Sequence, residues 1–228
     1  MSAHRSAGAE QLWLEMPPVS ATAPRRLIAF LHPGGSSPEL IAPVAIAFQL
    51  KFPGATAVVL QGLREAPVGA GRRDWFDAHA DAAERDAAVD EVARRLDAAQ
   101  RACGVAARDT TLVGFSQGAT VALELLRRHP GSASVLIAYA ARLASPLRAG
   151  ERVDAAVHLI HGELDSLVPL AHARRAHRGL AALGTDATLD VVAGAAHGID
   201  QHLVNLGTWR LMRTLFRGRR RRSGPTLH

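Results

Sequence analysis

Short apolar runs alternate with longer amphipathic stretches along most of the chain. Each run is about as long as a strand, is rich in aliphatic residues and ends in turn residues, which is typical of a strand buried on both faces. We predict buried strands at Arg26–Leu31, Ala55–Leu60, Asp109–Phe115, Ser134–Ala140, Ala155–Ile160 and Ala187–Val192. Gln11–Met16, which two prolines follow, is predicted to be an edge strand.

Helical spacing marks the segments between these runs, where apolar residues recur every three or four positions. We predict helices at Glu39–Leu50, Ala82–Ala102, Gln117–Arg128, Leu170–Leu183 and from His197-Gly198 to about Phe216. Residues 61–81 hold prolines and glycines and are predicted to be an irregular connection. Strands that alternate with helices predict an α/β fold with a mainly parallel central sheet, helices on both faces and no large lid domain.

The length and the charge pattern predict one domain with polar ends. A chain of 228 residues fits a single domain, which we place at residues 10–216. Residues 1–9 are expected to be a disordered N-terminus, and residues 217–228 a basic disordered tail. The net charge is +6, and much of the excess lies in the arginine run at 217–222. That run has no aromatic residue to stack on bases, so a solubilising role is favoured over a tether to nucleic acid or anionic lipid.

Cysteine content and hydropathy bear on location and partners. Cys103 is the only cysteine, so no internal disulfide can form and a reducing compartment is expected. The first ten residues lack the apolar core of a signal peptide, and no run approaches the roughly 20 apolar residues that span a bilayer. We therefore expect a cytoplasmic protein with no nucleic-acid partner and no stable membrane insertion. The sequence is compatible with a homodimer.

The sequence Gly114-Phe115-Ser116-Gln117-Gly118 lies between a predicted strand and a predicted helix. The spacing Gly-x-Ser-x-Gly in this setting is that of a nucleophile elbow, a sharp strand-to-helix turn that exposes a serine hydroxyl. The following helix adds backbone N–H donors and the positive end of its dipole beside the serine. Ser116 is therefore the candidate nucleophile, and a glycine-rich turn with an incidental serine is the alternative.

A serine nucleophile needs a base, which is usually a histidine oriented by a carboxylate. In parallel sheets such groups collect beyond the C-terminal ends of the strands. Asp165 follows the strand Ala155–Ile160, and His197 follows the last strand, so both are predicted near Ser116. Less favourable positions are occupied by the carboxylates of Asp154, Glu163 and Asp190 and by the imidazoles of His129, His172, His177 and His202.

An acyl-transfer site also needs donors for the developing oxyanion. The N–H of Gln117, directly after the serine, is one candidate, and the glycine-rich loop after Arg26–Leu31 offers Gly34 as the other. Pro33 has no N–H and is excluded, and His32 is expected to brace this loop. No metal site is predicted, because the sequence has no HExxH motif and no cysteine cluster. No cofactor is predicted, because the phosphate-binding glycine motifs are also absent.

Together these residues resemble the carboxylesterase/phospholipase family of α/β-hydrolases, which includes the acyl-protein thioesterases, and within it the small bacterial predicted esterases. The resemblance runs from about Arg26 to Phe216. It rests on the Ser116 motif together with Trp75-Phe76-Asp77, His161-Gly162-x-x-Asp165-x-x-Val168-Pro169 and His197-Gly198. It implies the triad Ser116, Asp165 and His197, and it implies oxyanion donors at Gln117 and Gly34.

Two departures from the family pattern concern the substrate. The usual His-Gly-x-Gly-Asp loop is replaced by His32-Pro33-Gly34-Gly35-Ser36, and the Ser-Gly after the next strand is replaced by Ala140-Ala141. The segment Trp75-Phe76-Asp77 either lines the pocket or packs beneath it. The candidate pocket residues are Trp75, Phe76, Tyr139 and Val168.

The sequence thus predicts a serine hydrolase that cleaves small carboxylic esters through an acyl-enzyme intermediate. An acyl thioesterase or a lysophospholipase would use the same chemistry and is the alternative within enzymes. A hydrolase-like binding protein without activity is the alternative from another class, and it would require a collapsed loop at Pro33-Gly34.

Overall fold

A computed structural model describes residues 2–3, 12–20, 25–67 and 69–222. Within these ranges the main sheet has eight strands in the order β1-β2-β4-β3-β7-β8-β9-β10. The pairs from β4 to β10 are all parallel, and β1 and β2 add antiparallel strands at one side. These strands are β1 Ser2–Ala3, β2 Trp13–Met16, β3 Arg26–Leu31, β4 Ala55–Leu60, β7 Thr110–Phe115, β8 Val135–Tyr139, β9 Ala156–Gly162 and β10 Ala187–Val192.

Five α-helices, a 3₁₀ turn at Ala107–Asp109 and a small hairpin complete the described part of the chain. The helices are α1 Pro38–Lys51, α2 Ala82–Cys103, α3 Gln117–Arg128, α4 Ala171–Ala182 and α5 Gln201–Arg222. The hairpin pairs β5 Arg64–Glu65 with β6 Arg73–Asp74 and lies within the segment that was predicted to be irregular. Of the described helices, none combines the length and the apolarity needed to cross a bilayer.

Both faces of the sheet are covered by helices, as the apolar strands predict. Leu27 and Leu31 of β3 pack in the cluster that includes residues of α2, α3 and α4. Ile28 and Phe30, which alternate with them along β3, pack in the opposite cluster with residues of α1 and α5. Since successive side chains of a strand point to opposite faces, a run that is apolar at every position requires this two-sided burial.

The predictions for the two ends of the chain are partly wrong. Helix α5 continues to Arg222, so residues 217–222, which were expected to be disordered, are helical. Ser2 and Ala3, within the expected disordered N-terminus, pair with Glu15 and Leu14 of β2. The remaining residues of 1–9 and residues 223–228 lie outside the described part of the chain.

Candidate active site

Ser116 lies on a strained turn between β7 and α3, at the position that the motif predicts. Its backbone has φ 55° and ψ −115°, and a positive φ is uncommon for a residue with a side chain. The neighbouring glycines permit this turn. A Cβ on Gly118 would lie 2.3 Å from the carbonyl oxygen of Leu31, and a Cβ on Gly114 would lie 2.6 Å from Cα of Ala119. The spacing Gly-x-Ser-x-Gly is therefore a steric requirement of the way in which β7, α3 and β3 pack together.

Asp165 and His197 meet because the two strands before them are neighbours. Strands β9 and β10 are parallel, with Gly162 opposite Val192, so their following loops leave the same end of the sheet. The loops are in close contact, since a Cβ on Gly162 would lie 2.4 Å from the carbonyl oxygen of Ala195. In this arrangement the His197 Nδ1 is 2.8 Å from the Asp165 Oδ2.

Hydrogen bonds on both oxygens hold the Asp165 carboxylate in place. Its Oδ1 accepts from the backbone N–H groups of Leu167 at 3.0 Å and Val168 at 2.8 Å. Its Oδ2 faces His197, and the side chain is fully buried. Because a carboxylate can only accept, the proton between it and His197 belongs to Nδ1, which leaves Nε2 of the neutral imidazole as the acceptor.

His161 supports the same turn. Its side chain is fully buried, and its Nε2–H donates to the carbonyl oxygen of Val168 at 2.7 Å and lies 3.5 Å from the Asp165 Oδ2. The phenyl ring of Phe115 stacks on the His197 ring with 5.0 Å between the ring centroids. The orientation of the Asp–His pair is thus fixed by backbone amides, an imidazole and an aromatic ring.

Several of the rival carboxylates and histidines have other partners. Glu163 is exposed and accepts a hydrogen bond from the amide of Gly194. Asp190 is paired with Arg210, and His129 is bonded to a carboxylate at the far end of α3. Within the described ranges, no three His, Cys, Asp or Glu residues are grouped so as to hold a metal ion.

The amides of Gly34 and Gln117 donate no hydrogen bond to another described residue, and both residues line the cavity that Ser116 also lines. The N–H of Gly35 is instead taken up by the Asp74 carboxylate, whose Oδ1 lies 2.7 Å away. Asp74 lies on β6. The β5–β6 hairpin therefore supplies a carboxylate to the loop His32–Ser36, which has a serine where the family pattern has an aspartate. Free amides at this position are what an oxyanion site requires.

His32 braces the loop, as expected. Its Nε2 accepts from the N–H of Gly62 at 3.0 Å, and its Nδ1–H donates to the carbonyl oxygen of Pro33 at 2.8 Å. Burial lowers the pKa of this imidazole, which favours the neutral form that such a pair of bonds needs. His32 therefore has a structural role: its hydrogen bonds hold the loop that carries Gly34.

The Gln117 side chain connects the elbow to the segment after β6. Its Oε1 accepts from the N–H of Trp75 at 2.9 Å, and its Nε2 donates to the carbonyl oxygen of Phe76 at 3.0 Å. The Trp75 indole is almost fully buried and donates to the carbonyl oxygen of His32 at 2.7 Å. The segment that includes Trp75 and Phe76 is thus held against Gln117 and against His32, at the start of the loop that carries Gly34.

The cavity above Ser116 has a volume of about 480 Å³. Its lining includes two of the four predicted pocket residues, Phe76 and Val168, and does not include Trp75 and Tyr139. Trp75 packs against His32, at the start of the loop that carries Gly34, and the fully buried Tyr139 donates its hydroxyl to the carbonyl oxygen of Leu203. The residues that line the cavity are Pro33, Gly34, Phe76, Ala78, Phe115, Ser116, Gln117, Thr120, Arg142, Leu167, Val168 and His197.

Several of these residues were missed from the sequence. Arg142 follows the C-terminal end of β8, where the rule that indicated Asp165 and His197 also applies, so its position was a usable signal. Phe115 and Thr120 lack such a signal. Phe115 belongs to the predicted strand and Thr120 to the predicted helix, and from the sequence each is equally compatible with the hydrophobic core and with the cavity wall. Their place in the cavity wall depends on the direction of each side chain in the folded elbow.

A serine on this type of turn, at the C-terminal edge of a mainly parallel sheet, places the protein among the α/β-hydrolases. Residues 19–206 match the Phospholipase/Carboxylesterase family, and the chain belongs to that family.

Individual relatives agree with this assignment. Esterase YpfH of Escherichia coli strain K12 is 35% identical over 181 residues, which cover 77% of each chain. The crystal structure of esterase PE8 superposes with a TM-score of 0.81 at 29% identity, covering 88% of this chain and 97% of that one. The carboxylesterase of Bacillus cereus has a TM-score of 0.72 at 15% identity, covering 88% of this chain and 93% of that one, and this likeness bears on the fold alone.

Proposed function

We propose that the protein is a serine hydrolase that cleaves small carboxylic esters through an acyl-enzyme intermediate. The observation that carries this proposal is the Asp165–His197 hydrogen bond of 2.8 Å at the cavity that Ser116 lines. Membership of the Phospholipase/Carboxylesterase family and the similarity to Esterase YpfH support ester hydrolysis as the reaction class. Cys103 is the only cysteine of the sequence and is free, which suits a reducing cytoplasmic location.

In the first half of the proposed reaction, the Ser116 oxygen bonds to the ester carbonyl carbon while its proton passes to Nε2 of His197. The carbonyl oxygen becomes an oxyanion, which the free amides of Gly34 and Gln117 are placed to bind. The bond from carbon to the leaving alcohol oxygen then breaks, and that oxygen takes the proton from His197. Asp165 stabilises the imidazolium that forms between these two steps.

The second half repeats the steps with water. A water oxygen bonds to the acyl carbon and gives its proton to His197, and the Ser116 oxygen leaves and recovers that proton. The products are one carboxylic acid and one alcohol, and the enzyme returns to its starting state. Loss of one oxyanion donor typically costs about 10²–10³ in rate, so the two amides supply a large share of the acceleration.

Thioester and lysophospholipid hydrolysis would use the same groups, and the shape of the site decides between the substrates. Among the described residues, the longer connections that leave the C-terminal ends of the strands, residues 61–81 and 140–155, contain the small β5–β6 hairpin and irregular segments, and neither holds a helical insertion that could cover a long acyl chain. A small or soluble acyl group therefore suits the site better. The free amide at Gly34 argues against the inactive binding protein, which would need a collapsed loop there.

Turnover of a series of neutral 4-nitrophenyl esters tests the proposal. We expect kcat/KM to be highest for acyl groups of about butyrate length and to be at least tenfold lower for long-chain emulsified lipid. A butyryl thioester assayed beside the butyrate ester separates esterase from thioesterase preference. Faster turnover of emulsified lipid than of butyrate would contradict the preference for small esters, and absence of turnover in every arm would contradict the reaction class.

A further inference from the structure

We propose that the site selects esters that carry a carboxylate group in addition to the scissile bond, and that Arg142 binds this carboxylate. The inference rests on the proposed function, since it assumes that Ser116 acts on an ester bound in the cavity above it. It adds a substrate class and a specificity residue to that function.

The charge distribution in the cavity is the first argument. Arg142 is the only residue with a permanent charge among the described residues that line it. The rest of the wall is apolar, small or neutral, and its larger aliphatic and aromatic members are Phe76, Phe115, Leu167 and Val168. Arg142 is itself exposed, so its guanidinium can be reached from solvent, and its attraction for an anion is that of a surface charge.

The second argument is that the Arg142 guanidinium is free. No hydrogen bond or ion pair joins it to another residue in the ranges that the structure describes. Arg127 and Arg128, by contrast, have partners: Arg127 bonds to Glu124 and Glu151, and Arg128 pairs with Asp90. A free arginine at the cavity therefore has its donors available for a ligand.

The backbone on both sides of Arg142 is fixed. Ala140 has φ 49°, a left-handed conformation that is strained for alanine, and its N–H donates to the carbonyl oxygen of Ile160 at 3.0 Å. Two residues after Arg142, the N–H of Ala144 donates to the Glu124 Oε1 at 3.0 Å. The chain thus turns sharply at the end of β8, and hydrogen bonds hold its backbone in place both before and after Arg142.

A network around Arg127 anchors the segment that follows. Its guanidinium, with the side chain only 8% exposed, bonds to Glu124 and Glu151 and also to the carbonyl oxygens of Ser145 and Pro146. The backbone of the loop that carries Arg142 is therefore held by charge-assisted hydrogen bonds and loses little conformational entropy when a ligand binds. The strained turn also falls at Ala140-Ala141, where the sequence departs from its family.

The chemistry of the guanidinium identifies the ligand. Its planar fork matches the two oxygens of a carboxylate and forms paired, charge-assisted hydrogen bonds with them. Binding of this kind at a solvent-accessible cavity should depend on ionic strength, because salt screens exposed charges. A carboxylate-bearing ester is thus expected to lose its advantage both when Arg142 is replaced and when salt is added.

Two matched ester pairs test this inference on the full-length protein. The acyl arm compares mono-(4-nitrophenyl) glutarate with its neutral methyl ester, and the alcohol arm compares 4-acetoxybenzoate with methyl 4-acetoxybenzoate. For Arg142→Gln we expect kcat/KM for the charged member of at least one pair to fall about tenfold, and values for the neutral members to stay within about twofold. Arg142→Lys should recover part of the loss, and Arg174→Gln, which removes an exposed arginine of α4 away from the cavity, should have no such effect.

Salt provides an independent readout. Raising NaCl from about 0.05 M to 0.5 M should lower kcat/KM of the wild type for the sensitive charged ester and should leave Arg142→Gln unaffected. If Arg142→Gln changes neither charged-to-neutral ratio, the inference is overturned while the proposed function stands, because the neutral esters are still cleaved. If the wild type cleaves none of the four esters, the proposed function itself fails.

Discussion

Asp165→Asn is expected to lower kcat on a neutral short-chain ester by about 10⁴-fold with little change in KM. The asparagine oxygen must take the place of Oδ1, because Leu167 and Val168 both present N–H donors there. Its amide nitrogen then occupies the position of Oδ2 and donates toward His197. The imidazole is forced to accept at Nδ1 and to carry its proton on Nε2, where it can no longer take the proton of Ser116.

Steady-state kinetics and a thermal melt together separate this effect from unfolding. Asp165→Asn should retain most of the wild-type melting temperature, because the backbone hydrogen bonds on its oxygen survive. Glu163→Gln is the matched control: it changes an exposed carboxylate on the same turn, keeps an acceptor for Gly194 and should leave kcat within about threefold of the wild type. A kcat for Asp165→Asn within tenfold of the wild type would mean that the Asp165–His197 hydrogen bond does not set the tautomer of the base.

Gly118→Ala is expected to reduce the free energy of unfolding by about 3 kcal/mol or more, which is large for the addition of one methyl group. The added Cβ would lie 2.3 Å from the carbonyl oxygen of Leu31 and 2.5 Å from that of His32. Both contacts are with backbone, so neither can be relieved by a rotamer change. Relief requires α3 to move away from β3, which would also displace the loop that carries Gly34.

For a protein of this size a loss of about 3 kcal/mol corresponds to a fall in melting temperature of roughly 6–12 °C. Gly54→Ala is a suitable control, because a Cβ there meets only the Ser20 hydroxyl oxygen at an ordinary 3.8 Å. We expect that control to melt close to the wild type. A melting temperature for Gly118→Ala within about 2 °C of the wild type would show that the elbow can relax, and the steric account of the motif would be wrong.

The strands were predictable because burial on both faces leaves an unmistakable pattern. β3, β4 and β10 have the predicted bounds, and in β3 the alternating Ile28 and Phe30 pack against different helices from Leu27 and Leu31. The end of α5 was not predictable in this way. The arginine run after Phe216 lacks an apolar face, but arginine has a high helix propensity and no proline ends the helix.

The site was predictable where strand position alone decides it. Asp165 and His197 follow the ends of neighbouring parallel strands, so their contact follows from topology. Trp75 and Tyr139 were placed in the pocket incorrectly, because their location depends on which way each side chain turns. The Trp75 indole reaches the His32 carbonyl and the Tyr139 hydroxyl reaches that of Leu203, and neither partner is near in sequence.

An activated serine at Ser116 is the basis of the proposed mechanism, and covalent labelling by a fluorophosphonate tests it without any assumption about the substrate. The folded wild type and Ser116→Ala are each incubated with the probe, and the intact masses are measured. We expect one adduct on the wild type and none on the variant. The absence of an adduct on the folded wild type, or an equal adduct on Ser116→Ala, would contradict the assignment of Ser116 as the nucleophile.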